Sequence, residues 1–400
     1  MLVTRHFWPH AAGRYETAAA ALTLASYWTH AGIRVEVATP RYEAHWPSEF
    51  MLGDVRVHRV GAAPRGDWSN ARYVRHLGQW LSERRDEFDA VVADSIRDDV
   101  PAVVASTSRR QSETSGPIGV AVCAGVGADA DWNWCQRSRS GARVIKSATA
   151  LSQIITFNAD ADRKLVARGL RQDQLVRVPP PWPRRGPVTQ SKRRSARAAL
   201  ASANSDLVTD SQTRVLLWCG EMSGDLGAGE GVAVLVGSAR ILLARYPDTR
   251  IWFVGDGPMR DWIHSELKAE GVRSMVALPG SFPNMKDVYC AADAIVHTDD
   301  SQMRATTFEA VRYELPLIAA NRDSTRMGLG LSGDETVSAA VSWYDPQQPK
   351  SFRTAVRMVW DDHATARELA SGLSNHMHRR FGGGQSIRRW RDLLQLHSDR

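Results

Sequence analysis

The chain of 400 residues is 43% hydrophobic and 24% charged, and no apolar run approaches ~18 residues. A transmembrane helix is therefore excluded, and two globular domains of about 150 to 200 residues each are expected. The net charge of +7 and pI near 9.4 admit nucleic acid, an anionic membrane surface or a phosphate-bearing substrate as partners. The arginines are spread along the chain rather than gathered in an aromatic-interleaved stripe, which argues against nucleic acid. Cysteines 123, 135, 219 and 290 show no metal-ligand spacing, and Met1-Leu2-Val3-Thr4-Arg5-His6 lacks the apolar core of a signal peptide. A reduced cytoplasm is the expected compartment.

Leu2-Val3-Thr4 reads as the end of a first strand, followed by a loop through Gly13 and a helix from Thr17 to Ala31 that Gly32 stops. Strands are expected at 35–39, 55–60, 90–93, 118–122 and 154–157. Helices are expected over the apolar face of Tyr73, Leu77, Trp80 and Leu81, then at 100–106 and 161–168. Val176-Arg177-Val178-Pro179-Pro180-Pro181 closes this half. The basic run Arg184-Arg185 to Lys192-Arg193-Arg194 lies in a proline-bearing stretch and is expected to be a solvated linker. The second half alternates again. Strands at 215–220, 251–254, 275–278, 294–298 and 317–320 are separated by helices at 259–271, 288–292 and 308–313. An amphipathic helix at 387–396 follows three glycines. Such alternation with short turns predicts doubly wound parallel sheets, whose ligands sit beyond the carboxyl ends of the strands.

Five pieces of the second half occur in a telling order. They are Val254-Gly255-Asp256-Gly257-Pro258, Leu278-Pro279-Gly280-Ser281-Phe282, Tyr289-Cys290-Ala291-Ala292-Asp293, Thr307-Phe308-Glu309-Ala310 and Leu315-Pro316-Leu317-Ile318-Ala319. Together they resemble the nucleotide-sugar half of a GT-B glycosyltransferase, most closely the large retaining family 4. The resemblance implies two Rossmann-like domains facing across a cleft. It places an acceptor domain at 1–183, a linker and leading helix at 184–212, a donor domain at 213–380, and a C-terminal helix at 381–400 crossing back to the first domain. It also implies transfer of a hexose from a nucleotide diphosphate sugar to a glycan or lipid-linked acceptor with retention, without metal or cofactor. The basic charge adds an anionic inner membrane face as a candidate peripheral contact. The alternative is a degenerate GT-B protein that binds a glycan or nucleotide sugar as a scaffold or partner subunit.

Carried over by position, the resemblance assigns donor contacts to Gly13, Gly255, Gly257, Ser281, Phe282, Ser301, Arg304, Ala305, Thr306 and Glu309. Glu309 would accept ribose hydroxyls; alternatively it closes a capping box on Thr306. Several positions depart from the family. Ala12 stands at the first glycine of the first loop, Glu314 at a helix-ending glycine, and Ser301 at a family glutamate, where Asp300 substitutes only if the loop shifts. Glu221 and Glu230 replace the basic pair that contacts the diphosphate. At ~4 Å and an effective dielectric of about 20, each such like-charge contact costs on the order of 4 kcal/mol. Arg304 offers a compensating guanidinium. No histidine follows the strand at 118–122, so Asp129 or Asp131 is the expected polar group at the sugar. Trp8, Trp132 and Trp134 are candidate acceptor platforms, with packing as the default for any one tryptophan.

Overall fold

The computed structural model describes residues 1–8, 15–107, 116–123, 130–157, 159–178, 185–222, 231–282, 284–298, 305–331, 335–382 and 384–396. Its contacts divide the chain into two compact units. One comprises Met1–His10, Thr17–Pro181 and Phe381–Arg400, and the other is chiefly Trp182–Arg380.

The first unit is built on β1 (Leu2–Val3), β2 (Glu36–Arg41), β3 (Glu49–Leu52), β4 (Val55–Ala62), β5 (Ala90–Ala93), β6 (Ile118–Val122), β7 (Gln153–Thr156) and β8 (Leu175–Arg177). The sheet order is β3-β4-β2-β1-β5-β6-β7-β8, parallel except where β3 pairs antiparallel with β4. Sequence periodicity does not announce β3, whose four residues alternate between exposed and half-buried on the sheet edge. The central strands are buried on both faces and read as continuous apolar runs. Along β5, Val91 and Ala93 enter the core under the helices Asp67–Glu83 and Val100–Thr107, whereas Ala90 and Val92 enter the opposite core. The helix Gly384–Leu393 returns to that second core. Trp390 meets the edge of Trp28 at 5.0 Å, and Arg391 donates to the Ala31 carbonyl at 3.0 Å.

The second unit contains β9 (Arg214–Glu221), β10 (Thr249–Asp256), β11 (Val276–Gly280), β12 (Ala294–His297), β13 (Leu317–Ala320) and β14 (Val341–Tyr344). All six run parallel in the order β11-β10-β9-β12-β13-β14. The chain starts in the middle and reverses its direction of growth between β9 and β12, which makes that junction the switch point where α/β sheets bind ligands. Trp218 fills the core beneath it and donates from Nε1 to Thr298 Oγ1 at 3.0 Å.

The basic stretch after residue 184 is not a solvated linker. Residues Gln190–Ala203 form a helix capped by Thr189; Arg193 and Arg197 reach inward, while Lys192 and Arg194 stay exposed. Arg197 Nη2 lies 2.8 Å from Asp293 Oδ2, and Arg193 pairs with Oδ1 of the same carboxylate. A buried acid at the start of β12 needs such partners, because an unpaired charge there would be costly. No helix among the described residues is long and apolar enough to cross a membrane.

Candidate functional site

The carboxyl edge of the second sheet is assembled by two close approaches. The turn after β10 folds over the exit of β9: Met222 N donates to the Asp256 carbonyl at 2.9 Å, and Met259 N donates to the Met222 carbonyl at 2.9 Å. A Cβ added to Gly255 (φ +136°) would stand 1.9 Å from the Gly220 oxygen. One added to Gly257 (φ +153°) would stand 2.4 Å from the Met222 oxygen. Both glycines are therefore required by backbone crowding, whatever else they face. Asp256 accepts from Gly257 N at 2.9 Å, and Ser281 and Phe282 follow β11, half-buried, on the same edge.

Beyond β12 comes the helix Ala305–Arg312. Its seat on the sheet is set by a buried contact of 3.2 Å between His297 Nδ1 and Thr307 Oγ1. Ala305 opens the helix and Thr306 lies buried inside its first turn, rather than before it as an N-cap would. Glu309 turns instead to two arginines. Arg185 approaches Oε1 through Nε at 3.3 Å and Nη2 at 3.2 Å, and Arg312 pairs with Oε2. Arg312 is 3% exposed, and burial pulls its guanidinium below the ordinary value against the opposing pull of Glu309. Paired with both arginines, Glu309 keeps acceptor capacity to spare, which suits a hydroxyl-binding carboxylate.

The helix ends in a Schellman arrangement. Leu315 N reaches the Ala310 carbonyl at 3.3 Å and Glu314 N the Val311 carbonyl at 3.0 Å, with Glu314 at φ +58°. A side chain in this left-handed position is strained, so Glu314→Gly is expected to stabilise the second unit by about 1 kcal/mol. Urea midpoints of the two proteins will decide; no gain would mean the side chain finds compensation elsewhere.

Glu221 ends β9 in register with Asp256 at the end of β10, so two acids stand on adjacent strand ends at the carboxyl edge. Gly13, Asp300, Ser301, Arg304 and Glu230 lie outside the described residues.

In the first unit the expected sugar contacts are otherwise engaged. Asp131 opens the helix Asp131–Arg137, but its carboxylate is 3% exposed. It accepts from Ser95 Oγ at 2.9 Å, Ile96 N at 2.7 Å and Arg97 N at 3.4 Å. It fastens the loop after β5, which corrects the catalytic expectation placed on it. Trp132 is 4% exposed and belongs to the core, so it offers no platform. Trp134 is half-buried with the Arg97 guanidinium 4.9 Å over its ring, and Trp8 is half-buried with Phe50 at 6.4 Å. Cys123 is buried, and burial pushes its thiol well above the ordinary range, as befits a small hydrophobe.

Asp94, just after β5, is a buried acid of this unit, and burial raises the nearby Asp99 as well. Burial pushes Asp94 up to about 7 against a 3.0 Å hydrogen bond from Thr4 Oγ1, and Asp131 adds to the rise. A carboxyl raised in the folded state stabilises below its unfolded value near 3.9, and that stabilisation drains away as pH climbs to about 7. The loss amounts to at most about 4 kcal/mol. Asp94→Asn, which can still accept from Thr4, should therefore gain on the wild type between pH 4.5 and 7.5 in urea unfolding. Parallel pH profiles would refute the assignment.

Two doubly wound units, the second with a β11-β10-β9-β12-β13-β14 sheet, match the GT-B fold of solved glycosyltransferases. Within that class, residues 213–362 match the sequence family described as Glycosyl transferases group 1. HepE of Anabaena in complex with UDP and glucose is similar with a TM-score of 0.67 at 15% identity, over 98% of this chain and 99% of that one. Sucrose-phosphate synthase of Thermosynechococcus elongatus follows at 0.63 and 14%, over 98% of each chain. WaaG, a glycosyltransferase involved in lipopolysaccharide biosynthesis, stands at 0.61 and 14%, over 99% and 100%. No curated protein matches the sequence. At such identities the likeness is one of fold, and at that level the resemblance carried by residues 254–319 holds.

Proposed function

We propose that this chain is a glycosyltransferase that binds a nucleotide diphosphate sugar in its second unit and moves the hexose, with retention, to a glycan or lipid-linked acceptor. The observation that carries the reading is Glu309, paired with Arg185 and Arg312 on the helix after the switch point. There it can accept the hydroxyls of a ribose, and the group 1 match spans this region. UDP and glucose in HepE make a uridine donor the first to try. Arg304, one residue before the helix, is a further candidate for the phosphates. The reaction is assigned to the cytoplasm, with the +7 charge favouring peripheral contact with an anionic inner membrane face.

A second reading rests on Glu221 beside Asp256: paired acids where a dianion would lie favour a protein that binds a glycan or nucleotide sugar without turnover, as a scaffold or partner subunit. A thermal-shift panel of UDP, GDP, ADP and their common sugars separates the cases. A ligand at ~100 times its dissociation constant adds about 2.7 kcal/mol. A shift for one nucleotide, followed by sugar release or transfer, supports the enzyme. A shift without turnover supports the binder, and no shift with any nucleotide removes both donor readings.

A further inference from the structure

The acids at the carboxyl ends of β9 and β10 raise the question of what faces the donor's phosphates. Glu221 stands in register with Asp256, and Arg260 donates to the Leu278 carbonyl at 2.9 Å, with Asp256 3.9 Å away. The Glu309 trio differs, because two guanidiniums oppose one carboxylate and leave a positive charge over. Arg312 is sealed at 3% exposure and keeps its charge inside. Arg185 does not: its side chain is 34% exposed and only Nε and Nη2 are spent on Glu309. Among the described residues its Nη1 makes no hydrogen bond. A guanidinium carries five N–H donors in a rigid fork, so this one can grip Glu309 and an oxyanion together. Its plane is steadied by the Tyr313 ring, 5.9 Å below, which stacks in turn near Tyr289 at 5.4 Å.

We propose that Arg185, from the segment leading into the second unit, is the cation that contacts the donor diphosphate and stands in for the positive charge missing at Glu221. This rests on the nucleotide-sugar reading above. Arg185 reaches Glu309 from outside the alternating strands and helices of the sheet. The positive charge is thus supplied from a separate stretch of chain while the carboxyl edge itself carries acids.

The test compares nucleoside diphosphates with their nucleosides, since only the former carry the anion. Affinities of UDP, GDP and ADP and of uridine, guanosine and adenosine are measured by calorimetry on the full chain, wild type and Arg185→Ala, with Arg185→Lys as a charge-keeping control. Expected is a loss of at least tenfold for the diphosphate that binds, less than twofold for its nucleoside, and recovery of most of the loss in Arg185→Lys. Equal losses for both would overturn the proposal, because Arg185 would then only orient Glu309 toward the ribose. Tighter binding by Arg185→Ala would overturn it too, making the pair a latch over an occupied carboxylate. Should Arg185→Ala unfold, the same diphosphate-to-nucleoside ratio in Arg185→Gln decides. If the wild type binds no nucleotide, the donor reading fails together with the inference. Wild-type binding with an unchanged ratio fails the inference alone.

Discussion

Replacing Asp293 by alanine is expected to destabilise the second unit by about 3–5 kcal/mol. The carboxylate is 4% exposed and accepts from Val215 N at 2.8 Å as well as from Arg193 and Arg197. Its removal leaves two guanidiniums, 14% and 11% exposed, without their counter-ion, and one strand amide without its acceptor. Burial already pulls Arg197 below its ordinary value, so the unpaired charge has nowhere favourable to go. The exposed pair Arg171–Asp173, 69% and 73% accessible, provides the contrast, and Asp173→Ala should change stability by less than about 1 kcal/mol. Urea unfolding of the three proteins tests the claim. A small loss for Asp293→Ala would mean that the leading helix is dispensable and that the ion cluster is ornamental.

Gly255→Ala should be at least as damaging, above about 4 kcal/mol, and should prevent cooperative folding of the second unit. The added methyl would meet a backbone oxygen at 1.9 Å, and Gly255 and Gly220 are register partners on two buried strands. No flexible side chain can yield, and φ +136° disfavours any Cβ besides. Limited proteolysis should then degrade the second unit while the first survives. A variant that resists proteases and melts like the wild type would show that the turn can shift by more than an ångström at little cost.

Val-Gly-Asp-Gly-Pro and Tyr-Cys-Ala-Ala-Asp are carried over by resemblance as marks of a donor site. In space, the first keeps the β10 turn against β9, and the second anchors the leading helix through Asp293. One signal for Asp293 was present in the sequence: an acid directly before the apolar run Ala294-Ile295-Val296 implies a partner. Nothing local identified Arg193 and Arg197 as that partner, roughly a hundred positions away. Arg185 was equally hidden, because a basic run beside prolines carries no record of what lies within reach.

The alternation of strand and helix and the parallel sheets were legible from sequence alone, whereas the strand order that sets the switch point was not. They follow from local periodicity, from turn residues and from connection lengths, all of which act over a few positions. The short edge strand β3 escaped because four half-exposed residues carry too little periodic signal. What only the tertiary structure decided is which charge meets which. Asp131 and Trp132 look like sugar contacts in the chain order but are consumed by a neighbouring loop and by the core. Glu309 looks like a cap but is held by two arginines, one three residues away and the other 124. Ion pairs and burial are set by the folded path of the backbone, and no window of sequence contains that path.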